Sequence, residues 1–138
     1  MKKIFTAHGQ LDIILEGRIL IVKGTDSPNS EMVDEFNLRV EKYYQLLKGA
    51  PWGSLSYMHG DIIFPPDAVP VIEANFRRMA SLGLVAIAVI IKDTQYPSLV
   101  ETFWQSRFEK SDTPYQFFDN TTDAKSWLFD QITQHNKP

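Results

Sequence analysis

The sequence predicts an α/β domain with a mostly parallel five-stranded sheet, one antiparallel edge strand and covering helices, in the order β-β-α-β-α-β-α-β-α. Three observations carry this expectation. Strand-length apolar runs alternate with helix-length amphipathic segments, the pattern of right-handed crossovers between parallel strands. The run LVAIAVII at residues 84–91 is rich in β-branched residues and has no polar alternation, which marks a central strand buried on both faces. The chain has 138 residues, the size of one domain with a core of its own.

The elements follow in order. LDIILEG (11–17) and RILIVKG (18–24) are strand-like runs joined at Gly17 and Arg18, a hairpin signal that sets the antiparallel strand at an edge. TDSPNS (25–30) supplies turn residues, Ser30 is the expected N-cap of the first helix, and Glu31 suits the positive end of its dipole. Val33, Phe36, Val40, Tyr43 or Tyr44, and Leu47 recur at helical spacing, and Gly49 with Pro51 ends that helix. WGSLSYM (52–58) reads as the third strand. Asp67 is the expected cap of a second helix, where Pro70 is tolerated because it falls in the first turn. Its apolar stripe is Val69, Ile72, Phe76, Met79 and Ala80, with Gly83 at its end. Residues 82–93 form the central strand, and Pro97 opens a third helix that runs to Ser111. PYQFFD (114–119) is the last strand, followed by a helix capped by Asn120 or Thr121 and carrying Ala124, Trp127, Leu128 and Ile132.

Composition excludes several classes of function. The net charge of −3 is spread along the chain, with no basic face dense enough for nucleic acid. The chain has no cysteine, which removes disulfides, thiolate nucleophiles and cysteine metal sites. Thr6, His8, Gln10 and Asp12 interrupt the N-terminal apolar residues, so no signal peptide is expected and a cytoplasmic location follows. The longest apolar run has eight residues, against roughly 20 needed to span a bilayer.

The element order, the AIAVIIKD strand and the closing PYQFFDNTTDAKSWLFDQI resemble the SpoIIAA-like proteins of the STAS superfamily. Asp119, Ala124, Trp127 and Leu128 carry the likeness, which covers roughly residues 11–132. The resemblance implies a five-stranded sheet flanked by helices. Founding members of that superfamily are anti-sigma-factor antagonists, switched by phosphorylation of a serine in an Asp-Ser pattern after the third strand. Here that place reads GDIIFPPDAV, with no hydroxyl residue between Met58 and Met79. The same fold resembles the lipid-carrying CRAL-TRIO domains, in which the sheet floors an apolar pocket closed by a mobile helix.

Few residue patterns in the chain point to chemistry. Glycines at 9, 17, 24, 49, 53, 60 and 83 form neither a dinucleotide nor a phosphate loop, and no nucleophile elbow or metal-ligand spacing occurs. His8 and His135 lie outside the sheet pattern. His59 and Asp61 follow the third strand and share the carboxyl edge of the sheet with Lys92, Asp93 and Asp119, where open α/β sheets bind ligands. A His59–Asp61 pair fits a base with its orienting group, but no serine or cysteine nucleophile motif accompanies it. Strand ends are also polar simply because they meet water.

Two apolar features remain. The third helix sets Leu99, Val100 and Phe103 on one stripe, and Trp104 and Phe108 broaden it beyond one buried face. The loop DIIFPP places apolar residues where a chain normally runs over the surface. Both have a plain reading as core. Together they point to an apolar pocket beside the carboxyl edge of the sheet, with Tyr57, His59, Ile62, Phe64, Tyr96, Phe103, Trp104 and Phe108 as ligand-binding residues. The expected function is thus a non-enzymatic SpoIIAA-like domain that binds a small apolar or amphipathic, lipid-like ligand, with no metal or cofactor. Peripheral membrane contact and a homodimer are further expectations. The alternatives are a STAS-type protein-interaction module without the phosphoserine and a hydrolase-like enzyme using His59 and Asp61.

Overall fold

The computed structural model describes residues 10–25 and 29–136. His8 and residues 26–28 of the TDSPNS turn lie outside the described residues. Strand β1 (Gln10–Glu16) pairs antiparallel with β2 (Ile19–Thr25), and helix α1 (Ser30–Leu47) leads to β3 (Trp52–His59). A 3₁₀ turn (Pro66–Ala68) runs into α2 (Val69–Ser81), followed by β4 (Leu84–Lys92) and α3 (Pro97–Ser111). The chain closes with β5 (Tyr115–Phe117) and α4 (Thr121–Asn136). The sheet order is β1-β2-β3-β4-β5, with every pair after the first parallel.

Each crossover steps one strand in the same direction, so crossovers of one hand place α1, α2 and α3 on one face. Their buried residues Val40, Ile72 and Phe108 share a core cluster with Leu20, Ile87 and Val89. Among the described residues, α4 alone covers the opposite face, where Ala124, Leu128 and Ile132 meet Ile21, Leu55 and Ile90. Small residues let α4 approach closely: a methyl group at Gly53 would come within 2.9 Å of Leu128 Cδ2. The central strand β4 is buried on both faces, as its unbroken apolar run requires.

Local chemistry explains the element ends, with three differences from the sequence reading. Asn29, not Ser30, caps α1: its backbone is extended and its side chain accepts from the Met32 N–H at 3.1 Å. Ser30 lies inside the helix and donates instead to Asp67 Oδ2 at 3.2 Å. Asp67 therefore caps nothing, and α2 begins from the 3₁₀ turn with Pro70 in its first turn. The last strand is only three residues, because Pro114 cannot donate to the ladder and pairing with β4 ends at Phe117. Gly83 after α2 sits at φ +109°, and a Cβ there would fall 2.7 Å from the Ala50 carbonyl oxygen. At the far end of α1, Arg18 donates to the carbonyls of Leu47 (2.5 Å), an acceptor that the helix leaves free, and Ala50 (2.7 Å) in the turn beyond it.

Candidate functional site

The site begins with small residues on a buried strand face. Alternation on β3 turns Trp52, Ser54, Ser56 and Met58 toward the three-helix layer. Alternation on β2 turns Leu20, Val22 and Gly24 the same way. Two serines and a glycine thus stand where a parallel strand normally presents branched apolar side chains. A Cβ built on Gly24 meets nothing within 4 Å.

The helices above do not close this gap. α1 is drawn toward β1, where Arg39 donates to the Leu11 carbonyl at 2.6 Å and the Tyr43 hydroxyl to the Ile13 carbonyl at 3.4 Å. α2 is drawn toward α3, where Phe76 packs edge-on against Phe108 with ring centroids 5.3 Å apart. Glu73 and Arg107 join the same two helices with 3.0 Å between charged atoms, a charge contact at a geometry that fails as a hydrogen bond. Between α1 and α2 a cavity of about 120 Å³ remains. Its walls are apolar: Met32 and Phe36 from α1, Ile72 and Met79 from α2, and the loop residues Ile62 and Phe64 beside Trp104. Asn75, half-exposed on α2, is the polar group on the helix side.

Two clasps bridge the separated helices. One is the Ser30–Asp67 hydrogen bond near the start of α1. The other is Arg78 on α2, which grips both carboxylate oxygens of Glu41 at 2.7 and 2.8 Å and lies 5.2 Å from the centre of the Tyr44 ring. Hydrogen bonds from Arg78 hold the Glu41 carboxyl below the ordinary value of 4.5. Burial pushes the Tyr44 hydroxyl well above its ordinary range.

The Glu41 group is depressed in the folded state, so its contribution is present above the ordinary carboxylate value and lost as pH falls through the lowered one. Because the pair is exposed, Arg78→Met is expected to lower Tm by only a few degrees at neutral pH. The gap between variant and wild type should narrow progressively as pH falls below the ordinary carboxylate value of 4.5 and through the lowered one. Thermal scans across that range check this. A gap that persisted in acid would mean that Arg78 acts through Tyr44 rather than Glu41.

The residues expected at the site fall into three groups. Ile62, Phe64 and Trp104 meet at the cavity wall, where Trp104 Nε1–H donates to the Ile62 carbonyl at 2.8 Å. That bond draws the DIIFPP loop inward, burying Ile62 and Phe64 instead of leaving an exposed apolar patch. Tyr57 also borders the cavity, but its hydroxyl meets Thr121 Oγ1 at 2.5 Å and its ring packs with the α4 cluster. Phe103 and Phe108 lie outside the lining: Phe108 is fully buried core, and Phe103 packs on Trp104 beneath the Arg107 guanidinium. The apolar stripe of α3 is Val100, Trp104 and Phe108, while Leu99, expected inside, is 58% exposed. The Ile62 carbonyl fixes Trp104, and that choice rotates the helix away from the stripe read from spacing alone.

His59 and Tyr96 belong to the carboxyl edge of the sheet. His59 Nδ1 lies 3.1 Å from Asp93 Oδ2, not from Asp61, and the Asp93 backbone is left-handed at φ 57°. Asp61 accepts instead from the Thr94 hydroxyl, and Lys92 reaches the Asp119 carbonyl at 3.5 Å. These contacts tie the loop after β3 to the loop after β4, and no hydroxyl among the described residues is bonded to the imidazole. No cluster of possible metal ligands occurs among the described residues, and no helix there is long and apolar enough to cross a membrane. Gly24, Ser54, Ser56 and Asn75 were not among the residues expected at the site. Their signal was faint but present: Ser54 and Ser56 share the parity of Trp52 and Met58 on a strand between parallel neighbours.

Comparison with protein-family models, curated proteins and solved structures returns no match.

Proposed function

We propose that this protein is a non-catalytic binding domain that holds a small apolar molecule between α1, α2 and the sheet. The observation that carries the reading is the unfilled apolar space itself. Protein interiors pack at crystal-like density, and voids of this size are few. The volume of about 120 Å³ is close to the roughly 150 Å³ of an apolar cavity that takes benzene. It lies well under the roughly 300 Å³ at which drug-sized pockets begin. The lipid-like ligand expected from sequence is therefore narrowed to a compact molecule, or to one end of a longer one.

The resemblance to SpoIIAA-like proteins belongs to this proposal, supported by the mixed five-stranded sheet with its single antiparallel edge pair. A second reading, a STAS-type interaction module, is favoured by Leu38 (83% exposed) and Leu46 (67% exposed) on the outer side of α1.

Native mass spectrometry of the purified chain, beside a denatured run and an organic extract, tests both readings. The expected result is a bound mass that disappears on denaturation or, for protein isolated empty, saturable benzene shifts of the Met32 and Met79 methyl NMR signals. A clean apo mass without saturable shifts overturns the ligand reading. A native dimer with an unoccupied cavity would transfer support to the interaction module.

A further inference from the structure

Resting on that reading, we infer that the ligand is neutral, with a compact apolar body and a single hydroxyl group: a phenol or a short alcohol. Its hydroxyl meets Ser54, Ser56 and Asn75, while its body lies against Met32, Ile72 and Met79.

Charge decides the first part. Among the described residues that line the cavity there is no Lys, Arg, His, Asp or Glu. A carboxylate or ammonium placed there would lose its hydration without gaining a partner. The nearest clasp cation, Arg78, is committed to Glu41 in a bidentate pair.

Hydrogen bonding decides the second part. Ser54 is 4% exposed, yet no side-chain hydrogen bond is formed by Ser54, Ser56 or Asn75 among the described residues. Ser56 and Asn75 are half-buried, and the polar atoms of all three residues open onto the cavity, where a ligand group that both donates and accepts can pair with them. The two serines lie on one face of β3 at positions i and i+2, about 6.6 Å apart along the strand. A ligand oxygen placed between them can meet either hydroxyl. Serine and asparagine side chains each both donate and accept, and a ligand hydroxyl does the same from one atom. The volume of about 120 Å³ leaves room for one ring or a short branched chain beyond that oxygen.

The test compares four probes by methyl-detected NMR titration of the full chain: benzene, phenol, benzoate and benzylamine. Phenol is expected to bind about five-fold tighter than benzene, the worth of one typical net hydrogen bond. Benzoate and benzylamine at neutral pH are expected to bind at least about ten-fold weaker than benzene, because each buries an unpaired charge. Ser54→Ala, Ser56→Ala and the triple variant with Asn75→Ala should progressively remove the phenol advantage, leaving benzene binding within about two-fold. Retained benzene binding also shows that each variant is folded, and the single variants carry the comparison if the triple one is not. Equal affinity for benzene and phenol, a phenol advantage that survives all three substitutions, or tight benzoate binding overturns the inference alone. Binding of none of the probes overturns the cavity reading beneath it.

Discussion

Replacing Trp104 with alanine is expected to cost about 3–5 kcal/mol of stability, the range for removing a large buried ring. The ring is 6% exposed and packs on Phe64, Phe103 and Phe108 at centroid distances of 6.0, 5.2 and 5.8 Å. Its Nε1–H satisfies the Ile62 carbonyl, which the alanine variant leaves without that donor. Domains of this kind have roughly 5–15 kcal/mol in total, so Tm should fall by roughly 10–20 °C. Trp104→Phe separates the two contributions: it keeps most of the ring packing and loses only the hydrogen bond, for about 1–3 kcal/mol. Urea unfolding of both variants provides the values. Equal losses would show that the Ile62 bond is the whole contribution, and a Tm change of only a degree or two in Trp104→Ala would remove the ring from the core. Because Trp104 also lines the cavity, its removal enlarges the space, and the alanine variant should accept ligands too large for the native protein.

Gly24→Val should have the opposite sign on stability and a large effect on binding. Glycine inside a strand costs roughly 0.5–1 kcal/mol relative to alanine, and valine is favoured on a pleated, half-buried surface. A Cβ at this position meets no atom within 4 Å, so the added carbons occupy the cavity rather than displace a neighbour. The variant is expected to melt at a higher temperature than wild type and to lose at least about ten-fold in benzene affinity, as filling a void implies. Few core substitutions raise Tm while abolishing binding. A lower Tm with unchanged benzene affinity would mean that the space above Gly24 is not where the ligand sits.

The architecture was legible because its signals are local. The uninterrupted LVAIAVII run implied a strand buried on both faces, and β4 is one. Gly17 marked the hairpin and Gly49 and Gly83 the ends of α1 and α2, each where the backbone turns to positive φ. Caps were legible only to within a residue: Asn29 and Ser30 are both good N-caps, and the choice fell to Asn29 because Ser30 gained a distant partner in Asp67. The α3 stripe was misjudged for the same kind of reason. Spacing alone permits a stripe through Leu99 and Phe103 or one through Val100, Trp104 and Phe108, and the Ile62 carbonyl on another element selects the second.

The candidate site was legible in part. Ile62, Phe64 and Trp104 were visible as surplus apolar surface near the carboxyl edge of the sheet, and they do form one wall. Gly24, Ser54, Ser56 and Asn75 were not, because the shared parity of the two serines was their one faint signal. By itself the sequence determined the order of elements, the mostly parallel sheet and the absence of cysteine chemistry, all of which follow from periodicity and composition. Only the tertiary structure decided that a cavity exists and where it lies. A void is a mismatch between facing surfaces: β1 and α3 pull α1 and α2 apart above a strand floor that happens to be small, and no local period records the distance between two helices.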